Sequence, residues 1–329
     1  MINNATIITN TECNNSCTWC LAKSSLKNTY RMSDDNFDIA LSMLKQLGCK
    51  YVFFMGGEHT INPMLPTFIK KAVDNNIERI FIISNGSGFT NSFFENIKEY
   101  REIIILNVSL HGSMPNIHDS ITCSEGSFNS LINGVKLAKE EKFHINIQTT
   151  LCYQNQNDMF NVLKLMEILK VSNIFISYCR KPLNTLFNEN DFLSIKMFSE
   201  KVANLINDYS GNINISVGPL LPICKLSKSF KELLKENRIQ FNRGCGILGH
   251  EVIVDAIGNL LLCTHLDNII LGNINTINNF SRFIEEIDVK IKQPMRKYPM
   301  KKCNNCVDKK LCINGGCPLL WLNNYGKNL

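Results

Sequence analysis

Three cysteines near the N-terminus carry the strongest chemical signal in this sequence. Cys13, Cys17 and Cys20 form the segment CNNSCTWC, a Cys-x3-Cys-x2-Cys pattern, directly after a β-like run. Three thiolates at this spacing can bind three irons of a [4Fe–4S] cube and leave the fourth iron open to a substrate. The alternative is a zinc site completed by a distant His or Cys.

Six more cysteines lie in tight patterns near the C-terminus. Cys245 and Cys263 flank Gly258 as Cys-x12-Gly-x4-Cys. The segment CNNCVDKKLCINGGCP follows and contains Cys303, Cys306, Cys312 and Cys317. Thiolates on a hairpin and in a later group suit further Fe–S cubes, although the last four could also bind one zinc ion. Most of the other five of the 14 cysteines are typical of small buried side chains.

Alternating strand-like and helix-like segments must position these cysteines. Runs rich in Ile, Val and Phe predict strands buried on both faces at Ala5–Thr9, Tyr51–Met55, Arg79–Ser84, Ile103–Leu110, His144–Leu151 and Asn173–Tyr178. Amphipathic patterns predict helices at Asp34–Leu47, Leu65–Asn75, Asn91–Tyr100, Ser127–Glu141, Met159–Leu169 and Asp191–Tyr209. Six βα units predict a parallel sheet, open or curled toward a barrel, with its chemistry at the carboxyl ends of the strands.

The alternation of strands and helices stops after about residue 215. We predict one more strand at Asn212–Val217, a short helix at Ser227–Asn237 and a hairpin made by Glu251–Val254 and Leu260–Cys263. The expected organisation is a barrel over residues 1–215, a connecting segment over 216–242 and a cysteine-rich domain over 243–329. The last part has too few periodic apolar residues for a large core, so we expect a metal to stabilise it.

The composition limits the class of protein. With 44% hydrophobic and 19% charged residues, the chain can build a sizeable core. Its 35 Lys and Arg against 29 Asp and Glu leave a net charge of +6, too small a surplus to indicate a dedicated nucleic-acid binder. Neither a long apolar run nor a signal-peptide pattern is present in the sequence. We therefore expect a soluble cytoplasmic protein that binds no nucleic acid and no membrane.

The N-terminal triad, with Trp19 before its last cysteine, resembles the CxxxCxxC cluster motif of radical S-adenosylmethionine (SAM) enzymes. The resemblance spans about residues 5–210. It implies an α/β fold: a partial (β/α)6 barrel with a small C-terminal Cys-rich Fe–S domain. It also implies a [4Fe–4S] cluster and SAM as cofactors, and reductive cleavage of SAM to a 5′-deoxyadenosyl radical that abstracts hydrogen from a substrate.

Further motifs follow the predicted strands in the order that this family shows. Gly56, Gly57 and Glu58 close the second strand, where the family binds the amino group of SAM. Small residues let backbone carbonyls approach a ligand, and a carboxylate can meet an ammonium. The resemblance also places next to SAM the residues Trp19, Ser84, Asn85, Ser109 and Tyr178. His111 departs from the Asp common in its loop and is given no role.

The C-terminal cysteines resemble the SPASM/twitch extension of radical SAM enzymes. The resemblance assigns Cys245, Cys263 and Cys317 to one auxiliary [4Fe–4S] cluster, and Cys303, Cys306 and Cys312 to another. Two departures are the four-residue interval before Cys317, where the family has three, and the lack of a later cysteine. The second cluster could therefore have an open iron, borrow Asp308 or be absent, so one or two auxiliary clusters are expected. Among the scattered cysteines, Cys224 is the leading candidate to join the first cluster.

These resemblances favour an enzyme that modifies a peptide or protein, like the maturases of ribosomally made peptides and of sulfatases. The expected electron donor is a flavodoxin or a ferredoxin-type protein. The first alternative is the same radical chemistry on a small molecule such as a sugar, a cofactor or a haem precursor. The second is a non-catalytic Fe–S or zinc protein. The sequence identifies no general acid or base.

Overall fold

The computed structural model describes residues 2–20, 29–180, 192–241, 245–247, 249, 251–266, 269–297, 300–312 and 315–324. Within these residues, eleven strands form one sheet, and helices connect most of the strands. The fold is α/β, as predicted.

The strands follow one another across the sheet with few exceptions to chain order. They are β1 (Asn4–Ile8), β2 (Tyr51–Met55), β3 (Arg79–Ser84), β4 (Ile104–Ser109), β5 (His144–Leu151), β6 (Asn173–Tyr178), β7 (Asn214–Gly218), β8 (Gln240–Phe241), β9 (Glu251–Val254), β10 (Asn259–Leu261) and β11 (Ile270–Asn273). Their spatial order is β11-β10-β9-β1-β2-β3-β4-β5-β6-β7-β8. Each neighbouring pair from β1 to β8 is parallel, so the carboxyl ends of these strands meet at one edge.

Helices provide the crossovers, and short polar side chains begin several of them. The helices are α1 (Asp34–Leu47), α2 (Leu65–Asp74), α3 (Asn91–Ile97), α4 (Pro115–Thr122), α5 (Ser127–Glu140), α6 (Met159–Ile168), α7 (Ile195–Asp208), α8 (Lys228–Lys235), α9 (Phe280–Ile287) and α10 (Gln293–Met295). The hydroxyls of Ser33, Ser194 and Ser227 accept backbone N–H groups at the starts of α1, α7 and α8. Gly48 ends α1 with a φ of +73°.

The sheet buries one face more completely than the other. On β5, Ile145, Ile147 and Leu151 are buried in the core that the helices share, whereas Asn146 and Gln148 point the other way and are half-buried. Strands β2 and β3 alternate in the same manner. The expectation of burial on both faces is therefore wrong for these strands, because their second face is only partly covered and remains accessible to a ligand.

The C-terminal strands extend the same sheet. β9 pairs in parallel with β1, with Glu251 opposite Asn4, and β10 and β11 continue the edge in antiparallel pairing. The Asp255 carboxylate accepts the N–H groups of Ile257 and Asn259 in the turn between β9 and β10. The predicted hairpin is thus confirmed. The division into domains stays a prediction, since β9–β11 are continuous with the barrel sheet.

Helices α4, α9 and α10 were not predicted, and α7 starts later than predicted. Helix α7 begins at Ile195 because Ser194 caps it, while Asp191, its predicted first residue, lies outside the described part of the chain. Helix α4 was not predicted; it has eight residues and starts with Pro115. Among the described residues, no helix combines the length and the apolar character needed to cross a membrane.

Candidate functional site

The loop after β1, residues 9–20 and here called the cysteine loop, is held against the loop after β2. The backbone N–H groups of Gly57 and Glu58 donate to the carbonyl oxygens of Asn10 at 3.0 Å and Glu12 at 2.6 Å. The buried Asn10 side chain donates to the carbonyl oxygens of Glu12 at 3.0 Å and Glu58 at 3.1 Å. Three of these hydrogen bonds join the two loops and the fourth lies within the cysteine loop, so the loop is fixed at the carboxyl ends of two neighbouring strands.

The glycines after β2 are needed for this close approach. Gly56 has a φ of +145°, a conformation that favours glycine. A Cβ atom on Gly57 would lie 2.7 Å from the carbonyl oxygen of Thr11 and closer still to that of Glu12. The sequence suggested that small residues leave space for a ligand. In the structure they also leave space for the backbone of the cysteine loop.

The predicted cluster ligands Cys13, Cys17 and Cys20 lie together in this loop, half-buried. Burial, with added repulsion from the charges of Glu58 and Cys20, raises the pKa of Cys13 to about 11. Burial and the charges of Cys20 and Cys13 raise the pKa of Cys17 to about 12. The three sulfurs are thus close enough to repel one another when ionised, and bound cations are needed to hold them as thiolates.

This donor set fits an iron–sulfur cluster. Soft thiolates are the ligands that such clusters use, and a cube with three protein ligands keeps one iron for another molecule. Within the described ranges, no three His, Cys, Asp or Glu side chains are placed to hold one metal ion.

Helix α4 supports the second half of the cysteine loop. The N–H groups of Ser16 and Thr18 donate to the carbonyl oxygens of Thr122 and Ile121, both at 2.9 Å. These carbonyls belong to the last turn of α4 and have no partner within the helix itself. The helix therefore positions the cysteines, and sequence reasoning missed it. The available signal was Pro115, a residue favoured in the first turn of a helix.

Trp19 packs into the protein beneath the cysteine loop. Its ring meets the edge of His111 with centroids 4.7 Å apart, and it contacts the buried cluster of Ile121, Cys152 and Cys179. Its buried indole N–H has no hydrogen-bond partner among the described residues. Burial lowers the pKa of His111 well below its usual value, so this imidazole is neutral and supports the indole. An unsatisfied donor at this place leaves one hydrogen bond available to a ligand.

The Glu58 carboxylate joins the loops after β2 and β3. It accepts the Ser84 hydroxyl at 2.8 Å, the Asn85 backbone N–H at 2.6 Å and the Thr60 backbone N–H at 3.1 Å. Glu58 also begins a 3-10 turn at His59–Ile61 and is buried. The predicted SAM-binding residues Glu58, Ser84 and Asn85 are thus brought together, although these hydrogen bonds are made to one another.

The remaining predicted SAM contacts lie on β4 and β6. Ser109 is half-buried at the end of β4, opposite Gln148 on β5. The Tyr178 hydroxyl donates to the carbonyl oxygen of Leu193 at 3.0 Å, and its ring meets Phe198 edge-on. The Tyr178 side chain is therefore directed at α7.

A polar cleft of about 120 Å³ borders the cysteine loop. Asn85 links its walls, because the Asn85 amide donates to the Asn14 side chain at 2.8 Å. The cleft is lined by amide and hydroxyl side chains and one carboxylate, from Asn14, Asn15, Asn85, Ser87, Ser124, Glu125, Gly126, Ser127 and Ser130. These groups suit the polar part of a ligand.

Cys245, Cys263 and Cys317 form the first thiol group. Burial and the charges of Cys317 and Cys245 raise the pKa of Cys263 to about 12. Arg180, which follows β6, donates from Nη1 to Cys317 Sγ at 3.0 Å, and its buried Nε finds no acceptor in the described ranges. A guanidinium among thiols fits the negative charge of a thiolate-ligated cluster. His265 Nδ1 lies 3.8 Å from Cys263 Sγ.

Cys303, Cys306 and Cys312 are here called the second thiol group: Cys306 lies near Cys312, and the Cys306 N–H donates to the Cys303 carbonyl oxygen at 3.4 Å. Burial raises the pKa of Cys312, and the charges of Cys224 and Cys306 add to the effect. Asp308, a candidate extra ligand, forms a salt bridge of 2.9 Å with Lys231. The structure thus places Cys224 with the second group, whereas the sequence suggested the first.

Comparison with known proteins gives a family and two curated relatives. The family described as Radical SAM superfamily matches residues 7–166. The antilisterial bacteriocin subtilosin biosynthesis protein AlbA of Bacillus subtilis is 24% identical over 143 residues, 44% of this chain and 32% of that protein. The Fe-coproporphyrin III synthase of Methanosarcina barkeri is 24% identical over 163 residues, 49% of this chain and 40% of that protein. The chain thus spans less than half the length of either relative.

Solved structures share the fold over almost the whole chain. Native anSMEcpe with bound AdoMet superposes with a TM-score of 0.71 at 19% identity, covering 95% of this chain and 89% of the other. SuiB of Streptococcus suis superposes with a TM-score of 0.73 at 16% identity, covering 95% and 72%. The predicted fold is confirmed, and the cysteine-rich C-terminal region fits a SPASM-like extension.

Proposed function

We propose that this chain is a radical SAM enzyme, in line with the Radical SAM superfamily match over residues 7–166, and that it cleaves SAM reductively and abstracts hydrogen from a peptide or protein. The observation that carries this proposal is the three-thiol loop, pinned by Asn10 and by α4 at the carboxyl ends of the strands. When bound, the iron–sulfur cluster supplies the electron that splits SAM into methionine and a 5′-deoxyadenosyl radical, which takes a hydrogen atom from the substrate.

The chain's own residues bind and orient these groups. Cys13, Cys17 and Cys20 would hold the cluster through three of its irons, and the remaining iron would be available to bind SAM. Gly56, Gly57 and the hydrogen bonds to Glu58 set the distance between the cysteine loop and the strand ends. The rate of hydrogen abstraction is sensitive to this distance. The indole N–H of Trp19, which has no partner in the described part of the chain, is available for a hydrogen bond to the bound ligand.

A peptide substrate is supported by the accessible face of the sheet. The Asn146 amide donates to the Asn107 side chain at 3.2 Å on that face, and amide side chains can pair with a peptide backbone. AlbA is named for the biosynthesis of a bacteriocin, and SuiB has a structure with a bound precursor peptide. A peptide is also present in a structure of anSMEcpe.

A haem precursor or another small molecule is the second candidate. Phe53 and Phe81 lie half-buried and stacked, with centroids 4.4 Å apart and 7° between their planes. Such a flat aromatic pair can pack against a planar ring. The match to an Fe-coproporphyrin III synthase is in line with this candidate.

The two C-terminal thiol groups support auxiliary clusters, and we propose one cluster at each. The half-buried Arg180 beside the first group would offset the charge that such a cluster adds. Electrons would come from a flavodoxin or a ferredoxin-type protein.

Anaerobic incubation with SAM and dithionite tests the central proposal. We expect 5′-deoxyadenosine from the unmodified chain and none from the variant with Cys13→Ala, Cys17→Ala and Cys20→Ala. The variant should keep its C-terminal iron, which serves as the control for folding. Cleavage of SAM by the triple variant, or zinc instead of iron in the cysteine loop, would contradict the proposal.

The substrate class needs a second assay. Peptides encoded beside the gene and, separately, a haem precursor are added with deuterium at non-exchangeable carbons. Deuterium in 5′-deoxyadenosine from the peptide alone supports the first candidate, and transfer from the haem precursor alone supports the second.

A further inference from the structure

The segment after β7 packs against the C-terminal cysteines. The Cys317 N–H donates to the carbonyl oxygen of Leu220 at 3.0 Å. A Cβ atom on Gly316, whose φ is +92°, would lie 2.7 Å from Pro222 Cδ. On the same segment, Lys225 Nζ lies 4.5 Å from the centre of the Trp321 ring. These contacts flank position 224 on both sides and bring it to the cysteine-rich tail.

Cys224 itself lies beside the second thiol group. It is the middle residue of a 3-10 turn at Ile223–Lys225, and it is exposed. The backbone N–H of its neighbour Ile223 donates to the Cys312 thiol. Cys224 and Cys306 lie close enough to Cys312 to add to the rise in its pKa, whereas Cys317 and Cys245 lie that close to Cys263. Cys224 therefore belongs spatially with Cys306 and Cys312.

The other side chain considered for this site already has a partner. Asp308 is bound to Lys231 at 2.9 Å, and both side chains are mostly buried. Removing Asp308 from that pair would leave a partly buried ammonium without its counter-ion. A thiol also suits iron in a cluster better than a carboxylate.

We propose that Cys224 is the fourth thiolate ligand of a second auxiliary [4Fe–4S] cluster, with Cys303, Cys306 and Cys312. This inference rests on the auxiliary clusters of the proposed function. It gives the cluster a ligand from the loop after β7, and the cluster would join the barrel to the tail. Each thiol loses its proton to solvent when it binds iron, and no oxidation of the chain is involved.

The test uses a chain whose only clusters are the auxiliary ones. In the Cys13→Ala, Cys17→Ala, Cys20→Ala background, anaerobic reconstitution should give about eight irons and about eight sulfides per chain, as two cubes require. Adding Cys224→Ala should lower the iron content by roughly one to four and change the electron paramagnetic resonance spectrum of the reduced protein. Cys123→Ala, which removes another exposed cysteine, is the matched control and should change neither.

Double variants in the same background identify which cluster Cys224 serves. If Cys224 and Cys303 hold one cluster, the combination with Cys303→Ala should lose little more iron than Cys303→Ala alone. The combination with Cys245→Ala should lose iron from both clusters. Circular dichroism of each variant shows whether the fold is retained, and Cys224→Ser keeps the size and an oxygen ligand for a partial rescue.

Three results would overturn the inference. The iron content, sulfide content and spectrum of the Cys224→Ala variant could match those of the Cys123→Ala control. Alternatively, the iron loss caused by Cys224→Ala could add to that of Cys303→Ala and not to that of Cys245→Ala. The background could also bind no iron at all. None of these results affects SAM cleavage by the chain with its N-terminal cysteines intact, so failure of the inference is distinguishable from failure of the proposed function.

Discussion

The contact between Gly57 and the cysteine loop gives a direct test of how the site is positioned. In Gly57→Ala, the new methyl group would lie 2.7 Å from the Thr11 carbonyl oxygen, 0.7 Å inside the 3.4 Å at which ordinary contacts begin. Its contact with the Glu12 carbonyl is closer still. Both neighbours are backbone atoms, so the cysteine loop must move as a unit to accept the methyl group.

The displacement of the cysteine loop determines the expected losses of stability and of activity. Overpacking of this kind costs about 1–3 kcal/mol of unfolding free energy. A shift of about 1 Å in a positioned group can reduce a rate by about 100-fold, because reacting atoms leave their productive geometry. Since Cys13 lies one residue beyond Glu12, we expect SAM cleavage to fall by about two orders of magnitude.

Gly48→Ala is a suitable control. Gly48 has a φ of +73° with no atom within 4 Å of the new methyl group, so only backbone strain opposes the change. It should cost about 1–2 kcal/mol of unfolding free energy with SAM cleavage unchanged. The assay combines 5′-deoxyadenosine formation with chemical denaturation. Normal cleavage by Gly57→Ala, or an equal loss in Gly48→Ala, would refute this account of the glycine pair.

Two further predictions concern buried polar groups. Glu58→Gln removes the negative charge to which Ser84, Asn85 and Thr60 donate hydrogen bonds. We expect the variant to lose about 1–3 kcal/mol of unfolding free energy and to bind SAM more weakly in calorimetry. An unchanged unfolding free energy together with an unchanged SAM affinity would remove Glu58 from the site. Burial lowers the pKa of His118 to about 4, below its ordinary 6.5, so the unfolded chain binds the proton first and stability falls as pH drops from 6.5 to 4. At about pH 5, His118 should account for about 2 kcal/mol of the loss in urea denaturation, so His118→Gln should lose about 2 kcal/mol less than the unmodified chain. Burial also lowers the pKa of His59, His111 and His265, which cause the remaining loss in both proteins. An equal decline in the variant would contradict this assignment.

The strands whose own sequences show a clear apolar pattern were the predictable part of the fold. Strands β2, β3, β5 and β6 have the bounds expected from their apolar runs. The spacing of Cys13, Cys17 and Cys20 likewise predicted that they lie in one loop at the end of β1. These signals are local, so they can be interpreted without knowing which other segments lie next to them in the fold.

The unpredicted features depend on contacts between distant segments. The hydrogen bonds from Ser84 and Asn85 to Glu58 arise because β2 and β3 are parallel neighbours, and no local pattern records them. The support of the cysteine loop by α4 and the place of Cys224 beside Cys312 are of the same kind. Sequence spacing suggested that Cys224 joins the first thiol group, and spacing alone cannot order two groups in space.

Arg180 shows how the sheet and the cysteine-rich tail form one site. It follows β6, while Cys263 follows β10, and the sheet order places seven strand spacings between those strands. A flat sheet would separate them by about 34 Å. Yet Arg180 donates to Cys317 at 3.0 Å, and its charge offsets part of the rise in the pKa of Cys263 that burial causes. The sheet must therefore curve until its β6 end and its C-terminal edge face each other, as in a partial barrel. The first thiol group lies across that opening, so a cluster bound there would hold the curved sheet closed above the accessible face.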